Sequence, residues 1–363
     1  MKIKPVPIRQ VFSGTAGWQH RPLRPYKKRS NFKIIQSSLM LILWMLPLLS
    51  CSISSDIPFI GSTRTPTPSP TATFTPIPTA TPTPVPTPTP QPGARIQSGD
   101  QALLEGDWDK ALSEFANAQQ VSGDPQIQIA AQLGIGRTQL YSGNIQEAAA
   151  TLEALIQNYG DAPQAAQAHF FLAQAYSKLE KYTEAAQSYL NYLTLRSGII
   201  DGYVLDLRGD ALFAAGNYAE AAKDYQAVRN VPSLNDELAI EMKEARAISV
   251  SGDTATALKM YDDVYARTED EHTKALIDLR KGQIYTGLGQ MSDAYAAYQD
   301  AVENYPTSYD SYSALLALVD ASQPVSELNR GLVDYFAGKY GPALAAFDRY
   351  LQSAPQDPGT AYY

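Results

Sequence analysis

Few residues in this chain of 363 have the type and spacing for chemistry, and the sharpest is its single cysteine, Cys51. A lone thiol rules out an intrachain disulfide and leaves acylation or alkylation of the sulfur, so its position decides its use. The three histidines, His20, His169 and His272, are scattered, and no His or Cys spacing suits zinc. No Gly-x-Ser-x-Gly elbow, Walker loop or dinucleotide fingerprint is present. Gly134-Ile135-Gly136 comes nearest and reads as helix packing. The acidic groups Asp262-Asp263 and Glu269-Asp270-Glu271 read as solvated faces and interhelical turns. The expectation is a chain without catalytic residues, metal or cofactor of its own.

Cys51 follows an apolar run over residues 39–49 and Ser50, and a basic stretch from Arg24 to Arg29 with Lys33 precedes that run. A basic region, a short apolar region and a small residue before the cut are the parts of a secretory signal. Eleven apolar residues are too few to cross a hydrocarbon core, which takes roughly 20 in a helix. The arrangement resembles the lipobox of bacterial lipoproteins. That resemblance implies that Cys51 is lipidated as the first mature residue and anchors the chain to a membrane of the cell envelope, on its extracytoplasmic side. Residues 1–50 are then leader and signal peptide, and residues 51–93 are anchor and linker. Between Pro66 and Pro92 there are eleven prolines in 27 residues, mostly alternating with threonine. Such a tract lacks backbone donors and apolar surface, and favours an extended polyproline II spacer of roughly 80 Å at about 3.1 Å per residue.

The charge is divided unevenly. Residues 1–93 hold ten of the 29 basic residues and one of the 37 acidic ones, leaving 19 and 36 in residues 94–363, a formal net charge of −17. A surface that acidic repels phosphate backbones and disfavours nucleic acid as a partner.

From residue 94 onward the chain repeats one pattern. The turn positions are Gly106, Gly143, Glu180, Gly216, Gly252, Gly289 and Gly338, spaced by 37, 37, 36, 36, 37 and 49 residues. Seven positions before each stands a small residue: Gly99, Gly136, Ala173, Gly209, Ala245, Gly282 and Gly331. Five positions after each stands Ala111, Ala148, Ala185, Ala221, Ala257, Ala294 or Ala343, and nine after it a large residue, Phe115, Leu152, Tyr189, Tyr225, Tyr261, Tyr298 or Phe347. Two antiparallel helices approach closely only where both lack bulk, and large neighbours fill the space that remains. The longer last step admits an extra helix near 309–323, ended before Pro324, while Pro306 and Pro355 close second helices. Gly359 to Tyr363 reads as the start of a further first helix, which leads to the expectation that more of the protein follows.

This pattern resembles the tetratricopeptide repeat, a helix-turn-helix unit with small residues at matching positions of both helices. The resemblance covers residues 94–363 and implies an all-α right-handed solenoid of about seven antiparallel helix pairs plus the extra helix. It further implies a protein-interaction scaffold whose first helices line a groove. In that frame the groove residues are Arg137, Tyr141, Gln174, Lys178, Asp206, Asp210, Arg246, Gln283 and Tyr335, with a protein of the envelope as partner. A second resemblance, carried by Tyr305-Pro306-Thr307-Ser308-Tyr309 and by residues 331–338, is to the helical region of soluble lytic transglycosylases. That alternative implies a lysozyme-like catalytic domain beyond residue 363 and peptidoglycan as substrate. The catalytic glutamate motif of those enzymes is not in these residues.

Overall fold

The computed structural model describes residues 91–353, apart from 199 and 232–235, together with 356 and 359. Cys51, the apolar run, the Pro/Thr tract up to residue 90, Pro355 and residues 360–363 lie outside the described residues. Those that are described fall within one compact unit, Pro84–Tyr363.

Fifteen helices and no strands occur among the described residues: α1 (Pro92–Glu105), α2 (Trp108–Val121), α3 (Pro125–Ser142), α4 (Ile145–Tyr159), α5 (Ala165–Lys178), α6 (Tyr182–Leu195), α7 (Asp201–Ala214), α8 (Tyr218–Val228), α9 (Glu237–Ser251), α10 (Thr254–Arg267), α11 (Glu271–Gly287), α12 (Met291–Asn304), α13 (Tyr309–Asp320), α14 (Glu327–Phe336) and α15 (Tyr340–Gln352). None is long and apolar enough to cross a membrane. Pro92 and Gly93, read above as the end of the linker, belong to α1, where a proline suits the first helical turn. The helices pair as α1/α2 through α11/α12, then α14/α15, with α13 added between.

Each pair turns on a residue in the left-handed region. All seven expected turn positions have positive φ, from 59° at Glu180 to 111° at Gly252. The N–H that follows each turn residue reaches back to a carbonyl of the first helix, for example Asn217 to Leu212 at 2.8 Å and Lys339 to Asp334 at 2.7 Å. This is the six-to-one bond of a Schellman motif, and it sends the second helix back along the first. Only at Glu180 does a residue with a Cβ hold this conformation in the repeat series.

The small residues then do the packing. A Cβ placed on Gly282 would lie 2.3 Å from the ring of Tyr298, and one on Gly331 would lie 2.3 Å from Phe347. Phe115 fits between two such positions, with Cβ atoms at Gly99 and Gly134 falling 2.7 and 2.5 Å from its ring. Gly134 and Gly136 are therefore packing residues, with Gly136 set against Leu152. Ala111, Ala148, Ala185, Ala221, Ala257, Ala294 and Ala343 on the second helices are buried. The large residues of the earlier pairs share clusters with residues of the next pair, and the core runs on as a chain of small clusters.

Helix α13 stands where the first helix of another pair would stand. It packs on α11 and α12 through Ala314, Leu315 and Leu318. Its terminal turn is on Ser322, at φ 54°. Seven positions earlier stands Leu315, not a small residue, and the chain goes on to α14, whose Val333 joins the same cluster.

Carboxylates enter the interior with partners. Arg208 holds Asp224 at 3.1 Å, and Arg229 holds Glu241 and Glu244 at 3.1 and 3.3 Å. Arg267 also bonds Glu241. Asp278 on α11 instead faces the carboxyl of Asp300 on α12, while Lys281 beside it is bound to Asp262 at 2.6 Å. The Tyr265 hydroxyl donates to Asp300 at 3.2 Å and lies 2.7 Å from that of Tyr305. Burial first, and then Asp300, push Asp278 up to about 8.

Two outcomes are expected. Replacing Glu180 by Gly relieves left-handed strain and should raise stability by about 0.5–1 kcal/mol, seen as a higher midpoint in thermal unfolding by circular dichroism. Asp278 binds its proton more tightly folded than unfolded, so its contribution to stability declines as pH rises from about 4 to about 8. Asp278→Asn keeps a donor at that position without a titrating charge. Its denaturation midpoints should vary less than those of the native chain between about pH 5 and 8; parallel profiles for the two proteins would show that Asp278 is not the source.

Candidate functional site

The first helices α3, α5, α7, α9 and α11 stand side by side, and one face of each carries the residues just before and just after its small residue. At three of the junctions, between α3 and α5, α7 and α9, and α9 and α11, the residue one after the small residue of one unit comes near the residue two before the small residue of the next.

At the first such crossing the Arg137 guanidinium lies 5.5 Å from the centre of the Phe171 ring. Arg137 also pairs with Asp100 of α1 at 3.0 Å. At the second crossing Lys243 bonds Asp210 at 2.9 Å and Asp206 at 2.7 Å. The Tyr225 hydroxyl, reaching through from the core, donates to Asp210 at 2.8 Å. Burial pushes Asp206 up and Lys243 pulls it down, while the two aspartates together hold Lys243 above the ordinary lysine range despite its own burial. At the third crossing both residues are cations, Arg246 and Arg280. Burial and then Arg280 pull Arg246 below its ordinary value. Arg246 stacks 4.4 Å from the centre of Phe213, and Arg280 donates to neutral Gln283 at 3.0 Å.

Two clefts open on this face. One, of about 420 Å³, is lined by Arg137, Phe170, Phe171, Tyr192 and Arg196. Its floor is an aromatic cluster in which Phe170 lies 5.4 Å from Phe171 and 5.6 Å from Tyr192. The other, of about 460 Å³, lies between α9 and α11 and is lined by Met242, Arg246, Tyr261, Leu276 and Arg280 among others. Asp236 and Asp270 at its rim are committed as helix caps, accepting from the N–H groups of Leu238 at 3.0 Å and Thr273 at 2.8 Å.

Each expected groove residue can now be placed. Arg137 and Tyr141 gather around Phe171, with the Tyr141 ring 6.4 Å from it, edge on. Gln174 is half-buried and Lys178 exposed on α5. Asp206 and Asp210 are drawn together by Lys243, Arg246 stands in the second cleft, and exposed Gln283 lies against Arg280. Tyr335 is apart from these in α14, where its ring meets Phe336 at 5.5 Å and Tyr340 at 5.7 Å. The residues not foreseen are Phe171, Lys243 and Arg280. All three stand two before a small residue, so the repeat frame would have marked the position; which residue faces which across two units is set only by how the pairs stack.

Residues 133–198 and 278–308 match family models described as tetratricopeptide repeat. Among solved structures, a tetratricopeptide repeat protein from Parabacteroides merdae is 14% identical, with 75% of this chain and 99% of that one covered, at a TM-score of 0.46. The MamA protein is 15% identical over 48% of this chain and 91% of its own, at 0.41. The pilF protein of Pseudomonas aeruginosa is 14% identical over 62% and 97%, at 0.42. No curated protein matches the chain. Two matched segments and seven units sharing turn, small residue and large partner identify tetratricopeptide repeats in this chain.

The Lys243 bridge gives a direct check of the groove electrostatics. Lys243→Met leaves two carboxylates, one of them half-buried, without their cation, and should cost about 1–2 kcal/mol at pH 7. Asp206 then binds a proton more readily when folded, so the deficit should narrow below about pH 5. A deficit that does not change with pH would mean that only packing was lost.

Proposed function

We propose that this chain is a protein-interaction scaffold of the bacterial cell envelope, held to a membrane through lipidated Cys51, with the first-helix face as its binding surface. The observation that carries the reading is the groove itself: two half-open clefts, each with an apolar floor and guanidinium groups at its side, on the face that tetratricopeptide units leave uncovered. A cleft of this build takes side chains of a peptide or a partner helix, with apolar walls for affinity and fixed charges for register. The membrane part of the reading is supported by the basic stretch, short apolar run and Cys51, followed by a Pro/Thr tract that would hold the repeats off the bilayer.

One experiment with two arms tests both parts in cells of a bacterial host. A photo-crosslinking residue at Tyr141 or Gln283 should capture a discrete partner, and the same residue at Lys223, exposed on a second helix, should not. Capture only from Lys223 would move the binding surface off the groove. In parallel, the full chain should take up a clickable fatty acid that Cys51→Ala abolishes; label that persists in that variant would remove Cys51 as the anchor.

A further inference from the structure

The junctions between successive pairs before α13 are not alike. At α2/α3, α4/α5, α6/α7 and α8/α9 the second helix of one pair lies beside the first helix of the next over much of its length, whereas α10 and α11 approach over a far shorter stretch. Little is added there by α9 or α12. Beyond this place α11 and α12 are tied to α13 through Leu279, Tyr298, Ala314 and Leu315. The array therefore has a thin junction between two well-packed blocks, and sparse packing is where a fold opens most readily.

Long polar side chains span the thin junction. Lys281 of α11 bonds Asp262 of α10 at 2.6 Å, and the Tyr265 hydroxyl of α10 reaches Asp300 of α12 at 3.2 Å and Tyr305 at 2.7 Å. Lys274 of α11 lies 5.6 Å from the centre of the Tyr265 ring. In their midst Asp278 is 3% exposed, and its Oδ2 finds no donor among the described residues. Its carboxyl faces that of Asp300, a second acceptor, so only a proton turns this pair into a hydrogen bond. The other ionisable groups within reach of Asp278 are Asp262 and Tyr265 of α10 and Lys281 on its own helix. Asp310 of α13 lies toward Arg280 and His272 instead. On the groove side Arg246 of α9 and Arg280 of α11 set like charges across the same junction.

We propose that the α10/α11 junction is a hinge operated by pH, latched while Asp278 and Asp300 share a proton and released when that proton is lost, with α10 then drawing away from α12. The second cleft lies between α9 and α11, over the same junction, so its width changes with the hinge. That consequence for binding rests on the groove reading above, while the hinge itself does not. In the closed junction burial and then Asp300 hold Asp278 up to about 8. Opened to water, it returns toward the usual carboxylate range near about 4. Protonation therefore favours the closed junction. Each pH unit between these limits shifts the balance toward the open one by about tenfold, with no further gain above about pH 8.

The test reads distances in the full chain carrying Cys51→Ser and two added cysteines for spin labels, by dipolar spectroscopy at about pH 5 and about pH 8.5. Ala266 of α10 and Ala296 of α12 are exposed on either side of the junction. Labels at Ala266→Cys and Ala296→Cys should stand several ångströms farther apart at the higher pH. Labels at Lys223→Cys and Ala266→Cys, both before the junction, should keep one distance. Asp278→Asn donates to Asp300 without titrating, so it should hold the short distance between 266 and 296 at both pH values. Tyr265→Phe keeps the ring and releases Asp300 and Tyr305, so the longer distance should appear at lower pH. A distance that ignores pH, or that changes equally in Asp278→Asn, overturns the proposal and leaves the groove reading standing. If Asp278→Asn loses its helical signal, Tyr265→Phe decides, and a pH response no different from that of the native residue overturns the hinge. Failed partner capture at Gln283 beside a clear change in distance removes the groove reading and leaves the hinge.

Discussion

The fold depends on one contact: a residue with little or no side chain on a first helix, pressed against a large side chain nine residues beyond the turn. Where Tyr298 meets Gly282 or Phe347 meets Gly331, the helix axes come so near that a methyl group would overlap the ring. Dense packing at that one level fixes the distance between the helices. The Schellman turn supplies the reversal, and the alanine five residues beyond it keeps the second helix from being pushed away. Because the large residue also reaches the next unit, as Phe115 does with Gly134, the same contact sets the stacking from one pair to the next. Solenoid cores of this kind are sums of neighbour contacts, and an extra element such as α13 can be admitted between pairs without disturbing distant ones.

The groove follows from the same contact. Stacking places the residue after one small residue near the residue two before the next, and the face of the first helices carries three such crossings, at α3/α5, α7/α9 and α9/α11. An arginine over an aromatic ring, a lysine between two aspartates and two arginines side by side are then three settings of one geometry. Two of the tyrosines, Tyr225 and Tyr261, tie the core to this face, since the ring is buried and groove charges lie within reach of the hydroxyl. The Tyr225 hydroxyl finishes on Asp210, and Tyr261 lies within electrostatic reach of Arg246 and Arg280.

Buried charge is handled differently away from the groove. Asp224, Glu241 and Glu244 each lie against an arginine, while Asp278 lies against another carboxyl and holds a proton into the neutral range. The first arrangement keeps the charge and neutralises it by pairing; the second removes the charge. Both meet the requirement that an ionised group leaving water must be compensated.

The sequence by itself determined the repeat, because turn, small residue and large residue are separated by fixed numbers of residues and the helix period makes that spacing a statement about faces. From those positions the seven pairs, the turn positions including Glu180, and the helix inserted before Gly338 were all legible, while the left-handed conformation of the turns came from the structure. The placement of Arg137, Asp206, Asp210 and Arg246 on first helices was legible for the same reason. What the tertiary structure decided is which of them meet. Lys243 lies 33 residues from Asp210 and Arg280 lies 34 from Arg246, and neither interval is special in one dimension. The offset between neighbouring pairs comes from how large side chains such as Phe115 and Tyr298 seat between units, a matter of three-dimensional packing that no spacing within one unit encodes. That offset makes Lys243 a bridge between two acids and brings Arg246, Arg280 and Tyr261 to the lining of one cleft.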